Sequence, residues 1–373
     1  MKINFHSSET VLLDLPTIRP HVLSMATMYQ QSIVLFRLRG NDGVEGIGEG
    51  TTIGGMSYGP ESPESIRLAI ETYIVPLLHL CDLSRVAETM LLIERHVVGN
   101  TIAKCAVETA LLDAAGKRIG LPVSDLISGG RVRSALPVAW TLASGDTKLD
   151  IAEAEAMLEA RRHRIFKLKI GKRDFREDVA HVASIKKAIG AQASVRVDVN
   201  QAWDETTADQ GMAMLADAGV DLVEQPVAGH DHAVMSRLSA RHRIPLMADE
   251  ALHGPASAFT IAATAGARVF ALKIAQSGGL LAGRDVAGVA MAAGIGLYGG
   301  TMLEAGVGTA ASAQLFATIP SLAWGTELFG PLLFTEEILE EPLVYRDFEL
   351  IVPNGPGLGV SLDERQLDRF RRA

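Results

Sequence analysis

Charged residues recur along this chain at nearly equal intervals, each near the C-terminal end of a short apolar run. The runs IFKLKI, VRVDVN, DLVEQP, LMADE and FALKIA carry Lys167, Lys169, Asp198, Glu224, Asp249 and Lys273. From Lys169 onward the steps are 29, 26, 25 and 24 residues, about the length of a strand, a helix and two loops. A parallel β/α barrel places its catalytic side chains at the C-terminal ends of its strands, so this spacing predicts such a barrel.

Length and local pattern divide the chain into three predicted parts. Because 373 residues exceed an ordinary compact domain, we expect one barrel and one smaller domain. Strand and helix periods predict an α+β capping domain over 1–130, a barrel over 131–345 and a C-terminal segment, 346–373, that returns to the capping domain. The barrel strands are predicted near 136–142, 165–170, 194–199, 221–225, 244–249, 268–274, 295–299 and 324–328.

The composition excludes several classes of function. The formal net charge is −9 and the chain has no dense run of Lys or Arg, so no nucleic-acid partner is expected. Two cysteines, Cys81 and Cys105, supply neither a disulfide framework nor zinc-ligand spacing, which fits a reducing cytoplasm. No run approaches about 18 uninterrupted apolar residues, so no membrane span is expected.

Three of the charged residues are carboxylates on successive predicted strands. Asp198, Glu224 and Asp249 offer hard oxygen ligands, which suit Mg²⁺ or Mn²⁺ rather than zinc. A single strand-end carboxylate is usually a helix cap, and Asp249 has that alternative. Three together without a metal would leave a costly cluster of negative charge, so the pattern favours a metal site.

Two lysines share one face of a predicted strand. Lys167 and Lys169 alternate with Leu168, so both point into the barrel. Mutual repulsion and partial desolvation are expected to lower the pKa of both lysines toward the range useful for proton transfer. The alternative is that one lysine reaches solvent while the other pairs with a carboxylate. Lys273 at a matching strand end favours the catalytic interpretation.

Two weaker signals lie near the end of the predicted barrel. The glycine-rich segment 299–312 could cradle a phosphate or a carboxylate, or its small residues could simply ease helix packing. Glu327, at the predicted end of the eighth strand, could join the acid–base set or be structural.

The order Lys-x-Lys, Asp, Glu, Asp, Lys resembles the enolase superfamily, and within it the muconate-lactonizing subgroup. The resemblance extends through RPHVLSMATM, GEGTTIGGMSYG, WTLASGDT, RRHRIFKLKIG, VRVDVNQAWDE, EQPV, MADE, LYGGTMLE and WGTELFGPLL. These segments run through nearly the whole chain. The resemblance implies an α+β capping domain over a modified TIM barrel, (β/α)₇β, with bound Mn²⁺ or Mg²⁺ and often a homo-octamer.

The resemblance also implies roles for individual residues. By motif, the metal ligands are Asp198, Glu224 and Asp249, the catalytic residues Lys169, Lys167, Lys273 and Glu327, and the substrate-binding residues Ile53, Tyr58, Asn200 and Phe329. Lys169 is the acid/base, Lys167 supports charge on a substrate carboxylate, and Lys273 lies on the opposite substrate face. Segments 17–31 and 50–60 match substrate-covering loops.

The implied reaction is the interconversion of cis,cis-muconate, a small dicarboxylate, with muconolactone through an enolate, in aromatic (catechol) catabolism. Chloromuconate cycloisomerases, o-succinylbenzoate synthases and dipeptide epimerases share this scaffold and remain alternatives. Two other classes also remain. One is a metal-free aldolase in which Lys169 or Lys273 forms a Schiff base. The other is a non-catalytic binding protein that keeps the fold.

Overall fold

An antiparallel sheet begins the chain. The computed structural model describes residues 2–22 and 27–372. Strands β1 (Phe5–Val22), β2 (Thr27–Gly40) and β3 (Glu45–Thr51) pair in the order β1-β2-β3. Gly43 in the turn between β2 and β3 has φ of 80°, a conformation that glycine adopts without steric cost.

The first predicted covering loop, 17–31, is largely strand in the structure. Residues 17–22 belong to β1 and 27–31 to β2, where backbone pairing such as His21 with Met28 holds them. Residues 23–26 lie outside the described residues. The described part of this segment is therefore strand rather than loop, although the β1–β2 register is irregular between Pro16 and His21. Its role in covering the substrate stays a prediction.

Helices of the capping domain pack on this sheet. They are α1 (Pro63–Leu68), α2 (Val75–Leu78), α3 (Val86–His96), α4 (Thr101–Ile119) and α5 (Val123–Ser128), with a π-helical stretch, Ala69–Ile74, between α1 and α2. Helix α4 is buried on nearly every side and lies against β3. A Cβ atom on Gly48 would come within 1.9 Å of the Ala106 carbonyl oxygen, so only glycine permits this approach.

The second half of the chain alternates strands and helices. The parallel strands are β5 (Trp140–Leu142), β6 (Ile165–Lys169), β7 (Ser194–Asp198), β8 (Leu222–Glu224), β9 (Leu246–Ala248), β10 (Val269–Leu272) and β11 (Gly296–Gly299), paired in sequential order. The helices are α6 (Thr147–Glu159), α7 (Phe175–Ile189), α8 (Glu205–Asp217), α9 (His232–Arg241), α10 (Pro255–Ala263), α11 (Ile274–Ser277), α12 (Leu280–Ala293) and α13 (Gly306–Phe316). Aspartate side chains cap the first turns of α6, α7, α8 and α9.

One residue joins the two edges of the seven-stranded sheet. Thr326 forms parallel bridges with Val138, beside β5, and with Gly299 at the end of β11. The predicted eighth strand, 324–328, is thus reduced to a single bridging residue, Thr326, with two bridges. Gly325 has φ of 68°, outside the β region, so the segment cannot continue as a regular strand.

The predicted first barrel strand, 136–142, is divided in two. Its N-terminal part is β4 (Ala135–Pro137), which pairs with β13 (Glu349–Ile351) in a separate sheet completed by β12 (Tyr345–Arg346). Pro137 has no N–H to extend a ladder, which accounts for the break before β5.

The end of the chain contacts the first strand. Helix α14 (Glu364–Phe370) packs on β1, Leu13 bridges with Arg371, and Arg372 bonds Asp14 at 2.6 Å. A 3₁₀ turn, Gly330–Leu333, precedes this segment, and another, Gly190–Gln192, follows α7. Within residues 2–22 and 27–372, none of the helices combines the length and apolar character that crossing a membrane requires. The domain boundaries at 130 and 345 stay predictions.

The contact between β3 and α4 yields a stability prediction. Gly48→Ala should destabilise the protein by about 1–3 kcal/mol, since the new methyl group overlaps a helix carbonyl. Thermal unfolding measures this as a lower melting temperature. Gly288→Ala, in α12 with open space around the added atom, is the control and should leave stability unchanged or slightly higher. Equal melting temperatures for the two variants would contradict the packing argument.

Candidate active site and metal centre

Strand register brings the predicted charged residues to one end of the barrel. Lys169 lies beside Asp198 in the β6–β7 pairing, and Asp198 lies beside Glu224 in the β7–β8 pairing. Asp249 follows β9, and Lys273 follows β10. All these positions are C-terminal strand ends, so the alternating β/α pattern accounts for their meeting.

The three carboxylates form a buried cluster. Asp198, Glu224 and Asp249 each offer an oxygen, and these atoms lie within 4.8 Å of one another. The Oε1 atom of Glu224 has no hydrogen-bond partner among the described residues. Burial, and then the adjacent Asp198 carboxylate, raise the pKa of Glu224 well above its ordinary value. An orphaned buried oxygen and an all-carboxylate donor set fit a hard divalent cation, so the residues present suit a metal of the Mg²⁺ type.

Lys167 lies in the centre of the carboxylates. Its Nζ atom is 2.6 Å from Glu327 Oε2, 3.1 Å from Glu224 Oε2 and 3.6 Å from Asp198 Oδ2. Burial alone would lower the pKa of Lys167, but these carboxylates raise it well above its ordinary value. The prediction of a lowered pKa at Lys167 was therefore wrong. The sequence identified these acids as site residues but did not show that all three would surround Lys167.

The other two lysines pair with acids on opposite sides of the cluster. Lys169 Nζ donates to Asp198 Oδ2, and its side chain is only 15% exposed. Lys273 Nζ lies 2.7 Å from Asp249 Oδ2 and 2.6 Å from the Tyr58 hydroxyl, which itself donates to Asp249. Tyr58 thus reaches from the capping domain into the charged cluster.

Asn200 and Gln225 support the metal-site carboxylates. The Asn200 backbone N–H donates to Asp198 Oδ1 at 2.9 Å, and its side chain donates to Asp198 Oδ2 and to Glu250 at 3.1 Å each. The Gln225 side-chain oxygen accepts from the backbone N–H of Asp249 at 3.0 Å. Both have positive φ, 45° and 34°, which marks locally strained backbone. Gln225 was not predicted, although it follows Glu224 directly in the EQPV motif.

A cavity lies between this cluster and the capping domain. It is lined by His21, Ile53, Tyr58, Thr141, Lys167, Lys169, Asn200, Asp249, Lys273, Thr301, Leu303, Glu327 and Phe329. The predicted substrate-binding positions Ile53, Tyr58, Asn200 and Phe329 are thus brought together here. Asp198 and Glu224 lie beneath it. The lining residues His21, Thr141, Thr301 and Leu303 were missed, although each lies in a segment on which the resemblance rests.

Phe329 belongs to an aromatic wall of the cavity. Its ring centroid lies 5.3 Å from that of Trp140, which stacks on His163 at 5.1 Å. The His163 Nδ1 atom lies 3.0 Å from the Val138 carbonyl oxygen. Burial lowers the pKa of His163 from 6.5 to about 4, although the bond to Val138 opposes the shift. His163 is therefore a neutral packing residue beneath this wall.

The glycine-rich segment 299–312 contains the start of α13. Glu49, from β3, accepts hydrogen bonds from the backbone N–H groups of Ala305 and Gly308, each at 2.7 Å. A Cβ at Gly308 would lie 2.8 Å from the Glu304 side chain and 3.2 Å from Glu49 Cδ, so glycine leaves room for both side chains. The segment does cradle a carboxylate, but one that the chain itself provides.

The buried His163 predicts a specific dependence of stability on pH. The unfolded chain takes up a proton at His163 below its ordinary pKa of 6.5, whereas the folded chain does so only near 4. Stability is therefore lost as the pH falls through this window. In His163→Gln, the fall in melting temperature between about pH 7 and about pH 5 should be smaller than in the wild type. His253→Gln, at an exposed position, controls for the loss of a histidine, and an unchanged pH dependence in His163→Gln would contradict the prediction.

Family models and relatives agree with this geometry. The model described as "Enolase C-terminal domain-like" matches residues 150–366, and "Mandelate racemase / muconate lactonizing enzyme, N-terminal domain" matches residues 7–128. Muconate cycloisomerase 1-2 of Acinetobacter lwoffii is 57% identical, covering 99% of this chain and 96% of its own length. A chloromuconate cycloisomerase of Delftia acidovorans is 44% identical, covering 98% of each chain.

A solved structure is also similar over the full length. The muconate lactonizing enzyme from Pseudomonas fluorescens, crystallised with muconolactone, is 58% identical and superposes with a TM-score of 0.98, covering 100% of both chains. The predicted fold class is therefore confirmed. The chain belongs to the muconate cycloisomerase family, within the enolase superfamily.

Proposed function

We propose that this chain is a metal-dependent isomerase that interconverts cis,cis-muconate and muconolactone. The observation that carries the proposal is a buried carboxylate triad flanked by Lys169 and Lys273, next to a cavity that these two lysines and Asp249 line. The muconate cycloisomerase described above is 57% identical to this chain, whereas the chloromuconate cycloisomerase is 44% identical.

The charges of the cavity suit a dianionic substrate accompanied by a divalent cation. Three ammonium groups, of Lys167, Lys169 and Lys273, lie among the carboxylates of Asp198, Glu224, Asp249 and Glu327. A divalent cation and a dicarboxylate together add no net charge to this buried cluster. The dicarboxylate alone would add two negative charges to a cluster in which carboxylates already outnumber ammonium groups, which is costly in a region of low dielectric constant.

The proposed reaction closes a ring and moves one proton. One substrate carboxylate oxygen adds to the double bond conjugated with the other carboxylate, and the electron pair moves onto that second carboxylate as an enolate. The Lys169 ammonium then donates its proton to the α-carbon, and in the reverse direction its amine removes that proton. A divalent ion held by Asp198, Glu224 and Asp249 supplies positive charge for the enolate oxygens.

The remaining charged residues orient the substrate and balance charge. Lys167, held between Glu224 and Glu327, is a fixed cation for a substrate carboxylate. Lys273 faces the opposite side of the substrate, where Asp249 and Tyr58 keep it charged and positioned. Glu327 acts as a proton donor or as the electrostatic partner of Lys167.

Apolar side chains close the cavity over the substrate. Ile53 and Phe329 are 7% and 1% exposed and line the cavity with Tyr58. Such an enclosure excludes water while the flexible diacid closes its ring. We assign Ile53, Tyr58, Asn200 and Phe329 to substrate binding, and we expect Mn²⁺ or Mg²⁺ as the ion and a homo-octamer as the assembly.

The alternative classes are less consistent with the geometry. A Schiff-base aldolase needs a neutral lysine amine, yet burial is outweighed at Lys273 by Asp249 and other acids, which raise its pKa. An aldolase also gives no role to the carboxylate triad. Chloromuconate remains the substrate alternative, and the relative rates on muconate and chloromuconates distinguish the two.

The first prediction of the proposal is metal dependence. Wild-type protein stripped of metal should not consume cis,cis-muconate, and Mn²⁺ should restore turnover. Glu224→Gln should weaken Mn²⁺ binding about tenfold or more, since replacing even a residue that only hydrogen-bonds to a metal ligand reduces metal affinity by about tenfold or more. Binding is measured by the paramagnetic resonance of free Mn²⁺, with the exposed Glu341→Gln as the control. Full activity of the stripped protein would exclude the metal-dependent mechanism.

The second prediction concerns the proton donor. Lys169→Ala should reduce kcat for cis,cis-muconate by roughly 10²–10⁴, the usual contribution of an acid/base group, with a much smaller change in KM. Lys187→Ala, on the exposed face of α7, should match the wild type. If Lys169→Ala kept more than about a tenth of the wild-type rate, Lys273 would become the first candidate for the donor.

A further inference from the structure

One wall of the cavity depends on contacts from another domain. The segment 301–308, defined here as the clamped segment, follows β11 and leads into α13. Within it, Thr301 and Leu303 line the cavity. Leu303 has φ of 62°, a left-handed conformation that is unfavourable for a residue other than glycine. Such a conformation persists only where surrounding contacts hold it.

The contacts that hold the clamped segment come largely from the capping domain. Glu49 accepts from the backbone N–H groups of Ala305 and Gly308 at 2.7 Å each. Gln31 donates from its side-chain amide to the carbonyl oxygens of Met302 and Leu303, at 3.0 and 3.1 Å. Glu49 and Gln31 are 4% and 1% exposed. Both side chains are therefore shielded from water where they bond the backbone of the cavity wall.

The clamped segment also supports itself locally. Glu304 accepts from the Thr301 hydroxyl and from the Met302 backbone N–H, and the Leu303 N–H donates to Thr301 Oγ1 at 2.9 Å. The local bonds join residues two or three positions apart. Among the described residues, Glu49 and Gln31 connect the segment to the capping domain by hydrogen bonds across more than 250 positions of sequence. Glu337 also accepts from the Gly306 backbone N–H, at 3.3 Å.

We propose that Glu49 is a positioning residue, which holds the clamped segment so that Thr301 and Leu303 form the substrate-facing wall. The inference rests on the proposed function for the identity of the substrate. Glu49 does not reach the cavity, so its effect passes through the backbone of residues 301–308. Losing the clamp should loosen substrate binding more than it slows the chemical step, because the proton donor Lys169 lies on a different strand.

Glu108 provides a matched control. It is also a buried acid of the capping domain, on α4, and it accepts from the backbone N–H of Leu281 at the start of α12. Burial raises the pKa of Glu49 and of Glu108 alike, to about 7. Glu108→Gln therefore removes a comparable contact between domains without touching the clamped segment.

The test compares Glu49→Gln, Glu108→Gln and wild type by steady-state kinetics with cis,cis-muconate and Mn²⁺, and by hydrogen exchange of residues 301–308. In Glu49→Gln we expect faster exchange in this segment and KM higher by about tenfold, with kcat changed less. Glu108→Gln should leave KM and this exchange at wild-type values. Gln31→Leu removes the second contact. If Glu49→Gln fails to fold, Gln31→Leu should show the faster exchange and higher KM expected of it.

Two results would overturn the positioning role. One is exchange of residues 301–308 that is unchanged in both Glu49→Gln and Gln31→Leu. The other is faster exchange with wild-type KM. Exchange does not depend on turnover, so it tests the clamp even if the wild type does not consume cis,cis-muconate, an outcome that would refute the proposed function separately.

Discussion

Lys167 lies almost completely buried between Glu224 and Glu327. The arrangement of the other charged side chains at this end of the barrel depends on this buried ion-pair cluster. Buried charges are stable only when they are paired, because desolvation costs several kcal/mol per ion. The barrel meets this requirement by placing lysines on the strands that flank the three successive carboxylates, Lys169 before Asp198 and Lys273 after Asp249. The same arrangement leaves one glutamate oxygen without a partner, at the position where a divalent cation fits.

The capping domain completes the site by contributing carboxylates to the barrel helices. Glu49 bonds the start of α13, and Glu108 bonds the start of α12. The N–H groups at the start of a helix lack partners within the helix and favour an acceptor that carries negative charge. These contacts join the two layers that enclose the cavity. The domain that covers the substrate thus also holds part of the barrel wall.

Much of the site was predictable from the sequence because each charged residue follows a short apolar run. Seven of the eight predicted strand positions contain parallel strands, and the register places Lys169, Asp198 and Glu224 side by side as expected. The errors were local. Pro137 divides the first predicted strand, and Gly325 reduces the last to one bridging residue, so both departures arise where a backbone constraint overrides the apolar pattern.

The sequence by itself determined the β/α alternation, the order of charged residues and the hard-oxygen character of the three clustered carboxylates, because these follow from period, spacing and donor chemistry. Only the tertiary structure decided the electrostatic state of Lys167, since that depends on acids contributed by three different strand ends. The tertiary structure also decided that the glycine-rich segment donates hydrogen bonds to the carboxylate of Glu49. Glu49 and Gly308 are 259 positions apart, and no local pattern relates residues that meet only when the two domains pack together.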